Sequence, residues 1–337
     1  MRRGFLPEPS PKAGTSSRGL VACLVFVFAA AGVCPRGNGQ GLTWHPDFLP
    51  VEIVSSADGA VQKAYFYATH SREPKPLVVS LHTWSYNWEQ ADSLAELARQ
   101  LDWNVIHPDF RGPNRSVDAC LSRKALLDID DAIDYALAHA RVDTENIFVA
   151  GVSGGGYATL GAYMALQHRV RAFLAWAAIS DLEAWYYQSV ARGRRYAQDV
   201  LRCTGSGEQL DFRVARQRSP LYWPMPRRRE SRLEIYAGIR DGYTGSVPIS
   251  HSILFFNRLA RELRRPERQF TQSEIVGLLT RGFPPRPDSL RIQGRLVYVT
   301  RVAGPIRLTI FEGGHEMLAS FCLERMRTMA SGDGRWP

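Results

Sequence analysis

From Val51 to the C-terminus, short apolar runs alternate with longer amphipathic ones, and this alternation restricts the fold more than any other feature of the chain. Val51–Val54 and Val61–Tyr67 have the character of strands, joined as a hairpin across Asp58-Gly59. Leu77–Leu81 is a buried-strand run, followed by a helix near Trp88–Leu101 and a strand at Asn104–His107. Leu126–Ala140 has helical spacing, with Ile129, Ile133, Ala136 and Ala140 on one face. Strand Ile147–Ala150, helix Gly155–Gln167 and strand Val170–Ala178 continue the pattern. Leu233–Tyr236 and Ile306–Phe311 are later strands, and Val247–Leu263 and Met317–Met329 later helices. Such alternation predicts an α/β fold with a mostly parallel central sheet and helices on both faces. Two stretches interrupt it: Trp185–Trp223, rich in aromatics and arginine, and Arg265–Gly294, rich in Pro, Gly and Arg. Both are expected as insertions beside or above the sheet, the first as a small cap.

The first forty residues do not share the pattern. Arg2, Arg3, Lys12 and Arg18 form a basic leader before the apolar run Leu20–Val33, and Ala29-Ala30-Ala31 supplies small residues for cleavage. The run is shorter than the roughly 20 residues of a membrane span. Residues 1–33 are therefore expected to be a signal peptide, and residues 41–337 an exported catalytic domain with no stable membrane span after processing. Arg2-Arg3 lies too far from the apolar run for a good twin-arginine signal, and Val33 is a poor neighbour for a lipidated Cys34.

The chain of 337 residues is 45% apolar and 22% charged, a globular composition. Its net charge of +9 falls to about +5 without the leader. Arginines cluster at Arg192–Arg195, Arg213–Arg218, Arg227–Arg229 and Arg258–Arg268. A solvated helix face accounts for them better than an acidic polymer does. No nucleic-acid motif or stacking-aromatic pattern accompanies them, so nucleic acid is not expected as a partner.

The chemistry is concentrated at Gly151-Val152-Ser153-Gly154-Gly155, which follows an apolar strand and opens a helix. That setting turns a weak five-residue pattern into the nucleophile elbow of an α/β-hydrolase. Glycines flank the serine because a sharp strand-to-helix turn leaves no room for neighbouring side chains. In this fold the acid and the base follow the serine in that order. His315, in the loop after Ile306–Phe311, is the expected base, whereas His251 sits in an amphipathic run that suits a packed or capping histidine. Asp241 follows the strand Leu233–Tyr236 and is the expected acid, while Asp181, the competitor, also fits as the cap of a helix beginning at Leu182. Oxyanion donors are expected from the backbone of Gly154 and from Thr83 or Trp84 in the loop after the third strand, where His82 either orients that loop or simply packs.

Several ordered motifs resemble the catalytic domain of the prolyl oligopeptidase family. They are Pro108-Asp109-Phe110-Arg111-Gly112, Asp128-Ile129-Asp130-Asp131-Ala132-Ile133, Gly151 to Tyr157, Arg218-Ser219-Pro220-Leu221, Gly238-Ile239-Arg240-Asp241 with Val247-Pro248, and Gly313-Gly314-His315. The resemblance runs from about Leu77 to the C-terminus and implies the triad Ser153, Asp241 and His315. The sequence departs from the family in having no stretch before Leu77 that would hold a propeller, and in placing Thr83-Trp84 where a Gly-rich segment is usual. The long interval between Asp241 and His315 also points to an insertion at Arg265–Gly294.

Three cysteines follow the leader region. Cys120 and Cys203, both in loop-like segments, are the expected disulfide, and Cys322 on the last helix is expected to pack in the core. No Cys or His cluster has metal-ligand spacing, so neither metal nor cofactor is expected. The reading of function is a serine hydrolase working on a small-molecule or polymer-linked acyl substrate, with carboxylic-ester hydrolysis (carbohydrate esters among the candidates) ahead of peptide hydrolysis. A hydrolase scaffold that only binds is the third reading, and the intact Ser153, Asp241 and His315 argue against it. Trp185, Tyr186, Tyr187, Tyr196 and Trp223 line an acyl or sugar pocket in one reading and form a packed cap in the other.

Overall fold

In the computed structural model, residues 42–225, 230–281 and 290–332 are described. The expected signal peptide, the arginines 227–229 and part of the second insertion lie outside them. Among the described residues ten strands form one sheet: β1 (Leu49–Val54), β2 (Val61–Tyr67), β3 (Lys75–Leu81), β4 (Asn104–Pro108), β5 (Val142–Val152), β6 (Ala172–Trp176), β7 (Arg232–Gly238), β8 (Arg291–Ile292), β9 (Arg295–Ala303) and β10 (Ile306–Phe311). Their spatial order is β1-β2-β4-β3-β5-β6-β7-β10-β9-β8. From β4 through β10 neighbours run parallel, while β1–β2–β4 and β10–β9–β8 pair antiparallel at the two edges. This is the α/β-hydrolase fold.

The central strands are buried on both faces, which is why they appear in the sequence as unbroken apolar runs. On one face pack α1 (Ser93–Gln100) and α9 (Ala319–Ala330), through Leu94, Ala98, Cys322 and Met326. On the other pack α2 (Arg123–His139), α3 (Gly154–Ala165) and α7 (Ser250–Glu262), through Ile129, Leu160 and Phe256. Caps set the helix starts. Asp92 accepts from Leu94 N, so α1 begins five residues later than its apolar content suggests, and Ser122 accepts from Ala125 N at the head of α2.

Between β6 and β7 the chain forms a cap of three short helices, α4 (Leu182–Ala191), α5 (Tyr196–Cys203) and α6 (Phe212–Gln217). A disulfide joins Cys203, at the end of α5, to Cys120 in the loop before α2, with their Cα atoms 6.1 Å apart. Arg218 donates from Nη1 to Ala119 O and from Nη2 to Val117 O, fastening the base of the cap to the same loop. The second insertion has regular structure of its own. It contains α8 (Gln272–Leu279), which opens on a Thr271–Glu274 capping box, and then β8. The sequence reading passed over β9 entirely. Its side chains are mostly half-buried because it is an outer antiparallel strand, and its apolar run Leu296–Val299 directly follows the Pro-, Gly- and Arg-rich insertion.

Candidate active site

Strand β5 delivers Ser153 to the C-terminal edge of the sheet, where ligands bind in open α/β folds. Its backbone holds φ 60° and ψ −117°, a left-handed conformation that a serine adopts only where the surroundings impose it. Those surroundings are visible. Ser153 N donates to Trp176 O at the end of β6, and Ser153 O accepts from Tyr157 N in the first turn of α3. The helix therefore starts at Gly154, with its free N–H groups facing the serine.

Two other strand ends bring the remaining residues. After β7, Asp241 turns back through Asp241 N to Gly238 O. After β10, the loop Glu312–Glu316 carries His315, whose Nδ1 is 2.7 Å from Asp241 Oδ2. The other carboxylate oxygen of Asp241 accepts from Gly242 N (2.9 Å) and Val247 N (3.1 Å). With three partners fixed, the carboxylate addresses the imidazole at one angle and holds the proton of the ring on Nδ1, leaving Nε2 as the basic nitrogen. The Asp241 side chain is 1% exposed and that of His315 22%, so only the imidazole reaches the cavity. A Cβ at Gly245 would fall within 3.0 Å of Asp241 Oδ1 and of His315 Cβ, so only glycine allows this loop to close over the pair.

Asp181 and His251 stand elsewhere. Asp181 caps α4, accepting from Glu183 N and Ala184 N, and takes the Tyr222 hydroxyl on its other oxygen. His251 is buried beside Ser180 and Gln188, and burial pushes it down to about 3, so it stays neutral.

The loop after β3 divides its two N–H candidates. Thr83 N donates to Gln90 Oε1 at 2.8 Å, and its hydroxyl reaches the same oxygen. Trp84 N instead lies against the Gly154 Cα: a Cβ on Gly154 would fall within 3.0 Å of both Trp84 N and Trp84 Cα. The indole of Trp84 is buried against Trp185, 4.6 Å between ring centroids, and Tyr157. His82 steadies this loop. It stacks on Phe110 at 3.9 Å, and burial pushes it down to about 3, so the neutral ring donates from Nδ1 to Thr83 O.

A cavity of about 250 Å³ opens over these groups, with Ser153, His315, Trp84, Tyr196, Arg195 and Met317 in its walls. The aromatic stretch of the cap divides accordingly. Tyr196 faces the cavity, Trp185 is fully buried between Trp84 and Tyr196, Tyr187 is exposed, and the Trp223 indole donates to Gln217 O. The sequence reading also missed Arg192, which donates from Nη1 to Gly242 O and Gly245 O and from Nη2 to Ser246 O. Trp185 Nε1 donates to Ser246 O as well, so α4 of the cap holds the loop that carries Asp241. Only backbone carbonyls are involved, which leaves no signal for Arg192 in residue types or spacing. Among the described residues no three His, Cys, Asp or Glu side chains converge as metal ligands, and no helix is long and apolar enough to cross a membrane.

The model of the prolyl oligopeptidase family matches residues 90–270, more than half of the chain. The chain belongs to the prolyl oligopeptidase family. The family match ends within the second insertion, just before α8 and before the loop of His315. Among solved structures, an acylaminoacyl peptidase in complex with Z-Gly-Gly-Phe-chloromethyl ketone superposes with a TM-score of 0.55 at 14% identity, over 86% of this chain and 42% of that one. The uncomplexed acylaminoacyl peptidase of Pyrococcus horikoshii gives 0.55 at 15%, over 88% and 42%. A puromycin-hydrolyzing peptidase of Mycobacterium tuberculosis gives 0.52 at 15%, over 86% and 40%. At such identities the likeness is one of fold, and the chain spans less than half the length of each of these three proteins. No curated protein matches the chain in sequence.

Proposed function

We propose that Ser153, His315 and Asp241 are the catalytic triad of an exported carboxylic-ester hydrolase. The observation that carries the triad is the 2.7 Å Asp241–His315 pair opening into the same cavity as a serine held at φ 60°. In the mechanism, His315 Nε2 takes the hydroxyl proton as Ser153 Oγ attacks the acyl carbon. The oxyanion so formed is met by the N–H groups of Gly154 and Trp84. Imidazolium then protonates the leaving oxygen, and water, activated by the same imidazole, releases the acyl group from Ser153.

The ester reading is supported by the size and lining of the cavity. About 250 Å³ is small for a ligand pocket, and Trp84, Val152 and Met317 offer apolar contact to a short acyl chain. An ester also needs less exact placement of its leaving group than an amide does. Peptide hydrolysis is the second reading, favoured by the family and by the peptidases of similar fold. Export is supported by the basic and apolar character of residues 1–33 and by the Cys120–Cys203 bridge, which suits an oxidising compartment. The deciding measurement is kcat/KM for acetyl and butyryl esters against aminoacyl- and prolyl-anilides on one preparation. Faster ester turnover is expected, and anilide values equal to or above the ester values would make the protein a peptidase.

A further inference from the structure

The rim of the Ser153 cavity carries two opposite charges, and only one of them is neutralised among the described residues. Glu316 Oε1 accepts from Arg295 Nη1 at 2.7 Å and from Gly314 N at 2.9 Å, so its charge is already met. Across the cavity, Arg195 stands just before α5 and donates from Nη2 to Ser85 Oγ at 3.1 Å, a neutral partner. Among the described residues no carboxylate lies within ion-pair distance of Arg195 or of its neighbour Arg194. The third arginine of the cluster, Arg192, is occupied by the carbonyls of the acid loop. One guanidinium thus faces the reacting centre with donors to spare.

The helix start that carries it is held from behind. Tyr196 stacks on the buried Trp185 at 5.0 Å, the Arg195 guanidinium lies 5.9 Å from the Tyr196 ring centroid, and the Cys120–Cys203 disulfide anchors the far end of α5. The guanidinium itself is exposed on this braced helix start, and its planar fork suits a carboxylate. Arg194 beside it adds to the positive potential without competing for the cavity.

We infer that Arg195 selects substrates bearing a free carboxylate near the scissile bond, an inference that rests on Ser153 being the nucleophile of an acyl hydrolase. The carboxylate sits on the leaving group or at the far end of the acyl chain, and paired probes separate the two. For the leaving group, 3-carboxyphenyl butyrate is compared with 3-carbamoylphenyl butyrate. For the acyl chain, the free-acid 4-nitrophenyl hydrogen adipate is compared with its methyl ester.

The expected result is a higher kcat/KM for the charged member of at least one pair, with the charged-to-neutral ratio falling about tenfold or more in Arg195→Met. Arg195→Lys should keep part of the ratio, since it keeps the charge but loses the fork. Calorimetric Kd values for the same probes on Ser153→Ala, with and without Arg195→Met, read recognition without turnover. A ratio near one in both pairs, or a ratio that survives Arg195→Met, would overturn the inference. If none of the probes is turned over, the ester reading fails instead, and the Kd ratios alone decide whether Arg195 recognises the carboxylate.

Discussion

Asp241 Oδ2 stands 2.7 Å from His315 Nδ1, although 74 residues separate them in the chain. The interval contains α7, α8 and the edge strands β8 and β9, yet parallel pairing of β7 with β10 brings the two strand ends side by side. Asp241→Asn offers His315 an amide in place of the carboxylate and favours the wrong tautomer. Turnover should fall by about 10⁴-fold with the fold intact. Asp181→Ala should instead cost about 1 kcal/mol of stability, as the loss of a helix cap, and little turnover. Steady-state kinetics and urea unfolding of the two variants distinguish the roles, and a reversed pattern would transfer the acid role to Asp181.

Gly154→Ala tests the approach of the two loops. The new methyl group would press on Trp84 N and Cα, which cannot retreat because its indole is wedged against Trp185 and Tyr157. Moving one oxyanion donor should lower kcat by about 10²–10³-fold while KM changes little. Wild-type kcat in this variant would remove Trp84 N–H from the mechanism.

Much of this site was legible in the sequence because its parts have local signatures. Ser153 sits in a glycine-flanked turn after an apolar run, and Asp241 and His315 each follow a strand. That Gln90 occupies the Thr83 N–H was not legible, since it depends on how the loop after β3 folds back on itself. Arg192 acts through carbonyl groups that every residue possesses, so its role exists only once the cap has docked. Strand β9 is a different case, since its apolar run Leu296–Val299 carries a strand signal that the reading of the adjoining insertion passed over.

Three buried histidines make folding stability depend on pH. Burial lowers His82, His107 and His251 each to about 3, against roughly 6.5 in the unfolded chain. As pH falls below about 6.5 the unfolded chain takes up these protons first, so their contribution is complete above that value and lost towards pH 3. Asp109 works in the opposite sense, because burial raises it to about 6 and the folded state binds its proton first. Near pH 5 unfolding should therefore take up about two protons from these four groups. Urea unfolding at several pH values should show stability falling from pH 6 to 4, and His251→Gln should reduce that slope by about one proton, or roughly 1.4 kcal/mol per pH unit. An unchanged slope in His251→Gln would mean that this imidazole protonates in the folded protein.

The Cys120–Cys203 bridge closes a loop with a sequence separation of 83. Replacing both cysteines by alanine should cost about 4 kcal/mol, chiefly by freeing the unfolded chain. Because Cys203 ends the helix whose first residue, Tyr196, lines the cavity, KM should also rise. Urea unfolding and KM of the double variant test both effects, and unchanged stability together with unchanged KM would contradict the bracing role given to the bridge.

The most direct test of Ser153 as the nucleophile is covalent labelling. The purified protein treated with a fluorophosphonate should gain one adduct by intact mass, and peptide mapping should place it on Ser153. Ser153→Ala should keep the wild-type unfolding curve and lose the label, with hydrolysis reduced about 10⁶-fold. An adduct on another residue, or labelling that persists in Ser153→Ala, would contradict the account.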